Sequence, residues 1–92
     1  MNRTGARHIV LRQNEIDYLI DEGFLSSVHL AVIKNASMRS KRSAVIELTD
    51  AVAEEFREAF TGRLAVVGFD EEYELTVEGR LLEDLIDLFS DA

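Results

Sequence analysis

The chain has 92 residues, of which 47% are hydrophobic and 30% are charged, and it contains no cysteine and no proline. This composition indicates one globular domain over residues 1–92, and it excludes disorder, disulfide bonds and sites built from cysteine thiolates. The formal net charge of −8 disfavours nucleic acid as the main ligand, because every phosphate contact would have to overcome long-range repulsion.

The first predicted elements are a short strand and a short helix. Residues 8–11 form an apolar run that is typical of a strand. Asn14 is the predicted N-cap of the helix, with Asp17 in the capping-box position. Apolar residues at positions 16, 19 and 20 have helical spacing, and Gly23 is the predicted left-handed C′ residue.

An antiparallel hairpin is predicted next. Residues 28–33 form a β-branched run that can be read with a period of two, and residues 44–48 form a second such run. The polar residues 34–43 lie between them. The pattern therefore predicts two strands joined by a long basic loop.

A longer helix follows, capped by Thr49 or Asp50. Its apolar residues recur every four positions, at Val52, Phe56, Phe60 and Leu64. Gly62 interrupts this pattern, so residues 64–67 are either the last helical turn, which is favoured, or a strand.

The last helix is predicted to begin after Thr76, its N-cap, and residues 69–75 form a connector that is extended at 73–75. Its apolar stripe covers roughly 160° of the helical wheel, which is more than the ~100° a core-facing helix needs. The stripe is either wrapped by a small core or partly reserved for a dimer or partner interface. It consists of Leu81, Leu82, Leu85, Ile86, Leu88 and Phe89.

These elements predict an α+β fold in which a β-hairpin packs on three helices. Residues 8–11 could add a third strand to the hairpin. The predicted order is (β)αββαα.

Motifs for catalysis are missing from the sequence, which has no nucleophile elbow, no phosphate-binding glycine loop and no H-E-x-x-H helix. His8, His29 and Glu47 could form a two-histidine, one-carboxylate metal site, but nothing in their spacing requires it. The chain is therefore predicted not to be an enzyme, with no catalytic residue, no metal ligand and no cofactor.

The absence of cysteine and of any apolar run near the ~18 residues of a transmembrane helix predicts a cytoplasmic protein with no membrane partner. Residues 1–13 also lack the long apolar segment of a signal peptide.

Charge is divided unevenly along the chain. Residues 1–43 carry seven basic and four acidic residues, and residues 44–92 carry three basic and fourteen acidic residues. Such asymmetry favours self-association as a homodimer or docking on a charged partner.

The leading functional hypothesis is a small acidic protein-interaction module that binds a partner protein and regulates or neutralises it. Immunity proteins, antitoxins and nuclease inhibitors act in this way, with carboxylates in place of the phosphates that their targets bind. The predicted contact residues are Glu54, Glu55, Glu58, Asp70, Glu71, Glu72, Glu74, Glu83, Asp84 and Asp87.

The alternative hypothesis is a nucleic-acid-binding regulator. It uses the basic loop, residues 38–43, in which Arg39, Lys41 and Arg42 would contact phosphates. No aromatic residue interleaves these cations, so base stacking is not expected.

Two fragments are similar to parts of DNA-binding folds. Residues 44–50 (AVIELTD) resemble the strand-to-helix step of ribbon-helix-helix repressors, and residues 73–82 (YELTVEGRLL) are similar to the wing-to-last-helix step of winged-helix regulators. Both resemblances imply DNA binding. The chain departs from the first family in the long segment between its helices and in Glu47, and from the second in having acids where a wing is basic. It is therefore assigned to neither family.

Overall fold

The computed structural model describes residues 7–90, and for residues 38–40 it describes the backbone alone. The predicted α+β class is confirmed. The elements are β1 (Arg7–Arg12), α1 (Gln13–Glu22), α2 (Ser27–Lys34), β2 (Ser37–Ser40), β3 (Ser43–Leu48), α3 (Asp50–Val67) and α4 (Val77–Ser90). They form two compact units, the first ending at Val52 and the second beginning at Ala53. The single-domain assignment of residues 1–92 stays a prediction.

The first unit contains an antiparallel sheet whose strand order is β1-β3-β2 within the described residues. The N-terminal third strand is thus confirmed. Ile9 lies opposite Ile46, and Leu11 lies opposite Ala44. All four are buried because alternate residues of a strand point to the same face, so this face supplies the sheet's part of the core.

Helix α1 begins at Gln13, and its predicted capping by Asn14 and Asp17 is wrong. The carboxylate of Glu15 is fully buried and caps the helix instead. Its Oε1 accepts from the backbone N–H of Arg12 at 2.8 Å, and its Oε2 accepts from Arg12 Nη2 at 3.0 Å. The predicted end of the helix is confirmed, since Gly23 has a φ of 71°.

The strand predicted over residues 28–33 is wrong, because these residues form helix α2. Ser26 caps this helix, with its Oγ accepting from the N–H of His29 at 3.3 Å. Short apolar runs do not distinguish strand from helix by periodicity, so the cap and the surrounding structure decide. Residues 7–90 consequently contain four helices rather than three.

The second strand of the predicted hairpin is confirmed, since residues 44–48 lie in β3, but the first strand is a different segment. That segment is β2, and Ser40 pairs with Ser43 across a turn formed by Lys41 and Arg42. The prediction of a long basic loop over residues 34–43 is therefore wrong. The register shifts between Met38 and Ser40, which marks a bulge or irregularity next to the turn.

Helix α3 continues through Gly62 to Val67, which confirms the favoured helical reading of residues 64–67. Thr49 is confirmed as its cap, since Thr49 Oγ1 accepts from the N–H of Val52 at 3.2 Å.

The core of the second unit contains three fully buried phenylalanines, Phe56, Phe60 and Phe89. The ring centroid of Phe89 lies 5.0 Å from that of Phe56 and 5.0 Å from that of Phe60. Such close offset and edge contacts add to the stabilisation that burial alone provides.

The apolar stripe of helix α4 has a fully buried part and a half-buried part. Leu82, Leu85 and Phe89 are fully buried, whereas Leu81, Ile86 and Leu88 are only half-buried. The predicted cap is confirmed, since Thr76 Oγ1 accepts from the N–H of Gly79 at 2.9 Å. None of the helices in residues 7–90 combines the length and the apolar character that crossing a bilayer requires.

Candidate functional site

The negative charge of the chain is concentrated in the second unit. Residues 53–92 contain three arginines and twelve acidic residues, a net charge of −9, whereas residues 1–52 contain seven basic and six acidic residues. The boundary between the units therefore also separates a nearly neutral part of the chain from a strongly acidic part.

All ten acidic residues predicted to contact a partner are exposed. Three project from α3, four from the connector (residues 68–76) and three from α4. Since carboxylates cost little in water and much in a core, their exposure alone does not indicate binding. Their role as contact residues stays a prediction.

A groove of about 390 Å³ in the second unit is lined by Leu64, Glu83, Ile86 and Asp87. Leu64 and Ile86 are half-buried, while Glu83 and Asp87 are exposed. The groove therefore combines an apolar floor with an acidic rim. We call it the acidic groove. One of its lining residues, Ile86, belongs to the half-buried part of the apolar stripe of α4.

A second depression, of about 330 Å³, is lined by Glu54, Arg57, Glu58 and Thr61. Here Arg57 places a cation between the carboxylates, with Nη1 donating to the carbonyl oxygen of Phe89 at 2.8 Å. This arginine stabilises the end of α4 and weakens the local negative potential. The four lining residues of the acidic groove, in contrast, include two carboxylates and no cation.

Hydrogen bonds of Asp70 stabilise the turn in the connector. Its Oδ1 accepts from the backbone N–H of Glu72 at 2.8 Å and of Glu74 at 3.0 Å, and its own N–H donates to the carbonyl of Glu74 at 2.9 Å. Tyr73 has a φ of 64°, so the extended conformation predicted for residues 73–75 is wrong at this residue. The side-chain bonds of Asp70 favour the turn.

We expect Asp70→Ala to lower the free energy of unfolding by about 1 kcal/mol, because two backbone donors lose their charged acceptor. The matched control is Glu71→Ala, which removes the same charge from an exposed neighbour without removing these bonds. Urea denaturation of both variants measures the difference. Equal losses would show that charge, not the turn, is responsible.

Four large apolar side chains in and near the connector are exposed, and the sequence predicts no role for them. Val66 is 75% exposed, Phe69 47%, Tyr73 87% and Val77 90%. The signal was present in the stretch FDEEYEL, which places two aromatic residues among four acids. This signal is weak, because a polar connector is ordinarily just a solvated loop.

Three basic residues of the first unit lie at one end of the sheet. Lys41 and Arg42 are exposed in the β2–β3 turn, and Arg12 lies opposite Ser43 in the register. The N–H of Gln13 donates to the carbonyl of Arg42 at 2.8 Å, which ties the turn to the start of α1. Arg12 was not predicted here, and the side chain of Arg39 lies outside the described residues.

Of the three residues in the hypothetical metal site, only two lie close together in the structure. His8 Nε2 lies 3.9 Å from Glu47 Oε2 across β1 and β3, while His29 lies on α2. Within the described part of the chain, no group of three histidine, aspartate or glutamate side chains is placed to hold a metal ion. His8 and Glu47 instead border a polar groove of about 500 Å³, lined also by Val32, Asn35, Ser37 and Val45.

The sequence matches no protein-family model, no curated protein and no solved structure.

Proposed function

We propose that the chain is a non-enzymatic, cytoplasmic module that binds a basic surface of a partner protein through residues 53–92, and so regulates or neutralises that partner. The observation that carries this proposal is the acidic groove, an apolar-floored and carboxylate-rimmed receptor in a unit of net charge −9.

The groove suits a lysine or arginine side chain of the partner. Such a side chain is amphipathic, so its methylene stem can cover Leu64 and Ile86 while its charged head meets Glu83 and Asp87. A protein that normally binds phosphates presents such side chains, and carboxylates can occupy the same positions. Masking them would inhibit the partner without any chemical reaction.

Solvent-exposed ion pairs each contribute only about 0–1 kcal/mol to affinity. The main effect of the acidic unit should therefore be on the rate of association, which electrostatic attraction raises and salt lowers.

The partner can be identified by affinity capture from native lysate, before and after nuclease treatment, with mass spectrometry of the captured proteins. A near-stoichiometric basic protein that survives nuclease treatment supports the proposal. Loss of every captured protein on nuclease treatment contradicts it.

With that partner in hand, we expect the triple charge reversal Glu83→Lys, Asp84→Lys and Asp87→Lys to slow association at low salt by about tenfold or more. It should also flatten the dependence of the rate on salt. Stopped-flow mixing at several salt concentrations measures both effects.

The matched control reverses three exposed acids of the first unit, Asp17, Asp21 and Glu22, which changes the net charge by the same amount. A clearly smaller effect is expected for this control, because steering depends on where the charge lies. Equal effects would show that the acidic groove has no special role.

A second candidate function is nucleic-acid binding, favoured by the gathering of Arg12, Lys41 and Arg42 at one end of the sheet. It predicts binding of duplex DNA at 50 mM salt, and loss of this binding on neutralising Lys41 and Arg42, which leaves the contact of Arg12 with the buried Glu15 intact. Electrophoretic mobility shift of the intact chain tests it, and absence of any shift at this salt excludes it.

A further inference from the structure

We propose that the polar groove bordered by His8 and Glu47 in the first unit binds a small aliphatic primary amine. We call it the sheet groove, and the described residues that line it are His8, Val32, Asn35, Ser37, Val45 and Glu47. All six belong to the first unit, so this inference is independent of the function proposed for residues 53–92.

The strand register places four of these residues on one face of the sheet. His8 lies opposite Glu47, and Ser37 lies opposite Val45. Val45 and Glu47 are alternate residues of β3, so they point to the same side of the sheet, away from the face on which Ile46 is buried. The sheet groove therefore crosses all three strands instead of following one segment of the chain.

The end of α2 supplies the rest of the lining. Val32 lies in its last turn, and Asn35 is its C-cap residue, whose N–H donates to the carbonyl of Ala31 at 3.0 Å. The N–H of Ala36 donates to the carbonyl of Ile33 at 3.1 Å, which also orders the link to β2. A lining that is ordered before the ligand arrives loses less conformational entropy on binding.

The size of the sheet groove suits a small molecule. Its volume of about 500 Å³ exceeds the 390 Å³ of the acidic groove. Sites for small ligands usually have volumes of about 300–1,000 Å³ and combine apolar walls with a few polar groups that converge on the ligand. A protein or nucleic acid would need a much larger surface for stable binding.

The polar groups of the lining favour an ammonium group. Of the six described lining residues, Glu47 carries a formal negative charge, and none is a lysine or an arginine. Glu47 Oε2 lies 3.9 Å from His8 Nε2, which is too far for a hydrogen bond, so the carboxylate can still accept from a ligand. The side-chain oxygens of Asn35 and Ser37 are further acceptors for the three N–H donors of an ammonium group. An anionic ligand would instead meet the carboxylate without a guanidinium or ammonium group to bind it.

The two valines favour an aliphatic chain on the amine. Val32 and Val45 are half-buried, so an alkyl group that covers them removes further apolar surface from water. A ligand with an ammonium head and a short alkyl chain therefore uses both the polar and the apolar part of the lining.

The test follows the backbone amide resonances of the full chain by nuclear magnetic resonance during titration with four probes. These are 1-pentylamine, ethylamine, which keeps the charge but shortens the chain, 1-pentanol, which keeps the chain but removes the charge, and inorganic phosphate. The variant is Glu47→Gln. Its matched control is Glu22→Gln, at an exposed acid of α1 that is not among the lining residues of the sheet groove.

We expect 1-pentylamine to cause saturable shifts at the residues of the sheet groove. Its affinity should exceed those of ethylamine and 1-pentanol by about fivefold or more, since each lacks one of the two interactions. Glu47→Gln should weaken binding of 1-pentylamine by about fivefold or more, and Glu22→Gln should leave it unchanged.

Four results would overturn the proposal. They are the absence of saturable shifts at the sheet groove, amine-induced shifts confined to residues 53–92, tighter binding of phosphate than of 1-pentylamine, and equal losses of affinity in the two variants.

Discussion

Replacing Phe89 with alanine is expected to lower the free energy of unfolding by about 3–5 kcal/mol. The ring is fully buried and lies 5.0 Å, centroid to centroid, from the rings of Phe56 and Phe60. Its removal leaves a cavity bordered by two rigid rings, which are poorly able to fill it. A small domain has a total stability of about 5–15 kcal/mol, so one such substitution brings it close to unfolding.

Urea denaturation followed by circular dichroism measures this loss. The control is Val66→Ala on α3, where the side chain is 75% exposed and truncation should change stability by less than about 0.5 kcal/mol. If both variants lost the same free energy, Phe89 would not be part of a packed core.

A second large effect is expected from adding a single methyl group to Gly79. A Cβ at this position would lie 2.8 Å from the Cα of Gly68 and 2.8 Å from Cδ1 of Leu75, and it would also clash with the carbonyl oxygen of Gly68. The two Gly68 atoms belong to the backbone directly after α3, so they cannot move aside without shifting the connector, whereas Leu75 Cδ1 is the end of a side chain. Overpacking of this kind costs about 1–3 kcal/mol.

Gly62→Ala is the matched control, since the same methyl group at this position meets nothing within 4 Å. Gly62 lies inside α3, where alanine is the better helix former, so this variant should gain up to about 1 kcal/mol. Thermal denaturation of the two variants should therefore shift the midpoint in opposite directions. Shifts of the same sign would contradict the close approach of α4 to Gly68.

The residues predicted correctly from the sequence are those whose signals are local. Gly23 ends α1, Thr49 and Thr76 cap α3 and α4, and the four-residue spacing of Phe56 and Phe60 defines the buried face of α3. Each of these depends on residues within about one helical turn, so the chain needs no knowledge of its distant neighbours to specify them.

The errors arise where the local signals are ambiguous, because a short apolar run fits either a strand or a helix and neighbouring polar residues compete to cap α1. Residues 28–33 favour a strand by composition, yet they form α2 behind the Ser26 cap. Asn14 and Asp17 are the predicted caps of α1, but the buried carboxylate of Glu15 accepts from the backbone N–H of Arg12 and caps the helix instead. Intrinsic preference is a weak signal that tertiary context overrides.

The sequence by itself determined that the candidate site is acidic. Charge is a property of composition, and solvated carboxylates remain on the surface. Only the tertiary structure decided that Leu64 and Ile86 share a groove with Glu83 and Asp87, and that Tyr73 stands exposed among the acids of the connector. The reason is physical: helical periodicity predicts which side of a helix is apolar. How much of that side is covered depends on where α3 and α4 meet, and the close contact between Gly68 and Gly79 sets that meeting point.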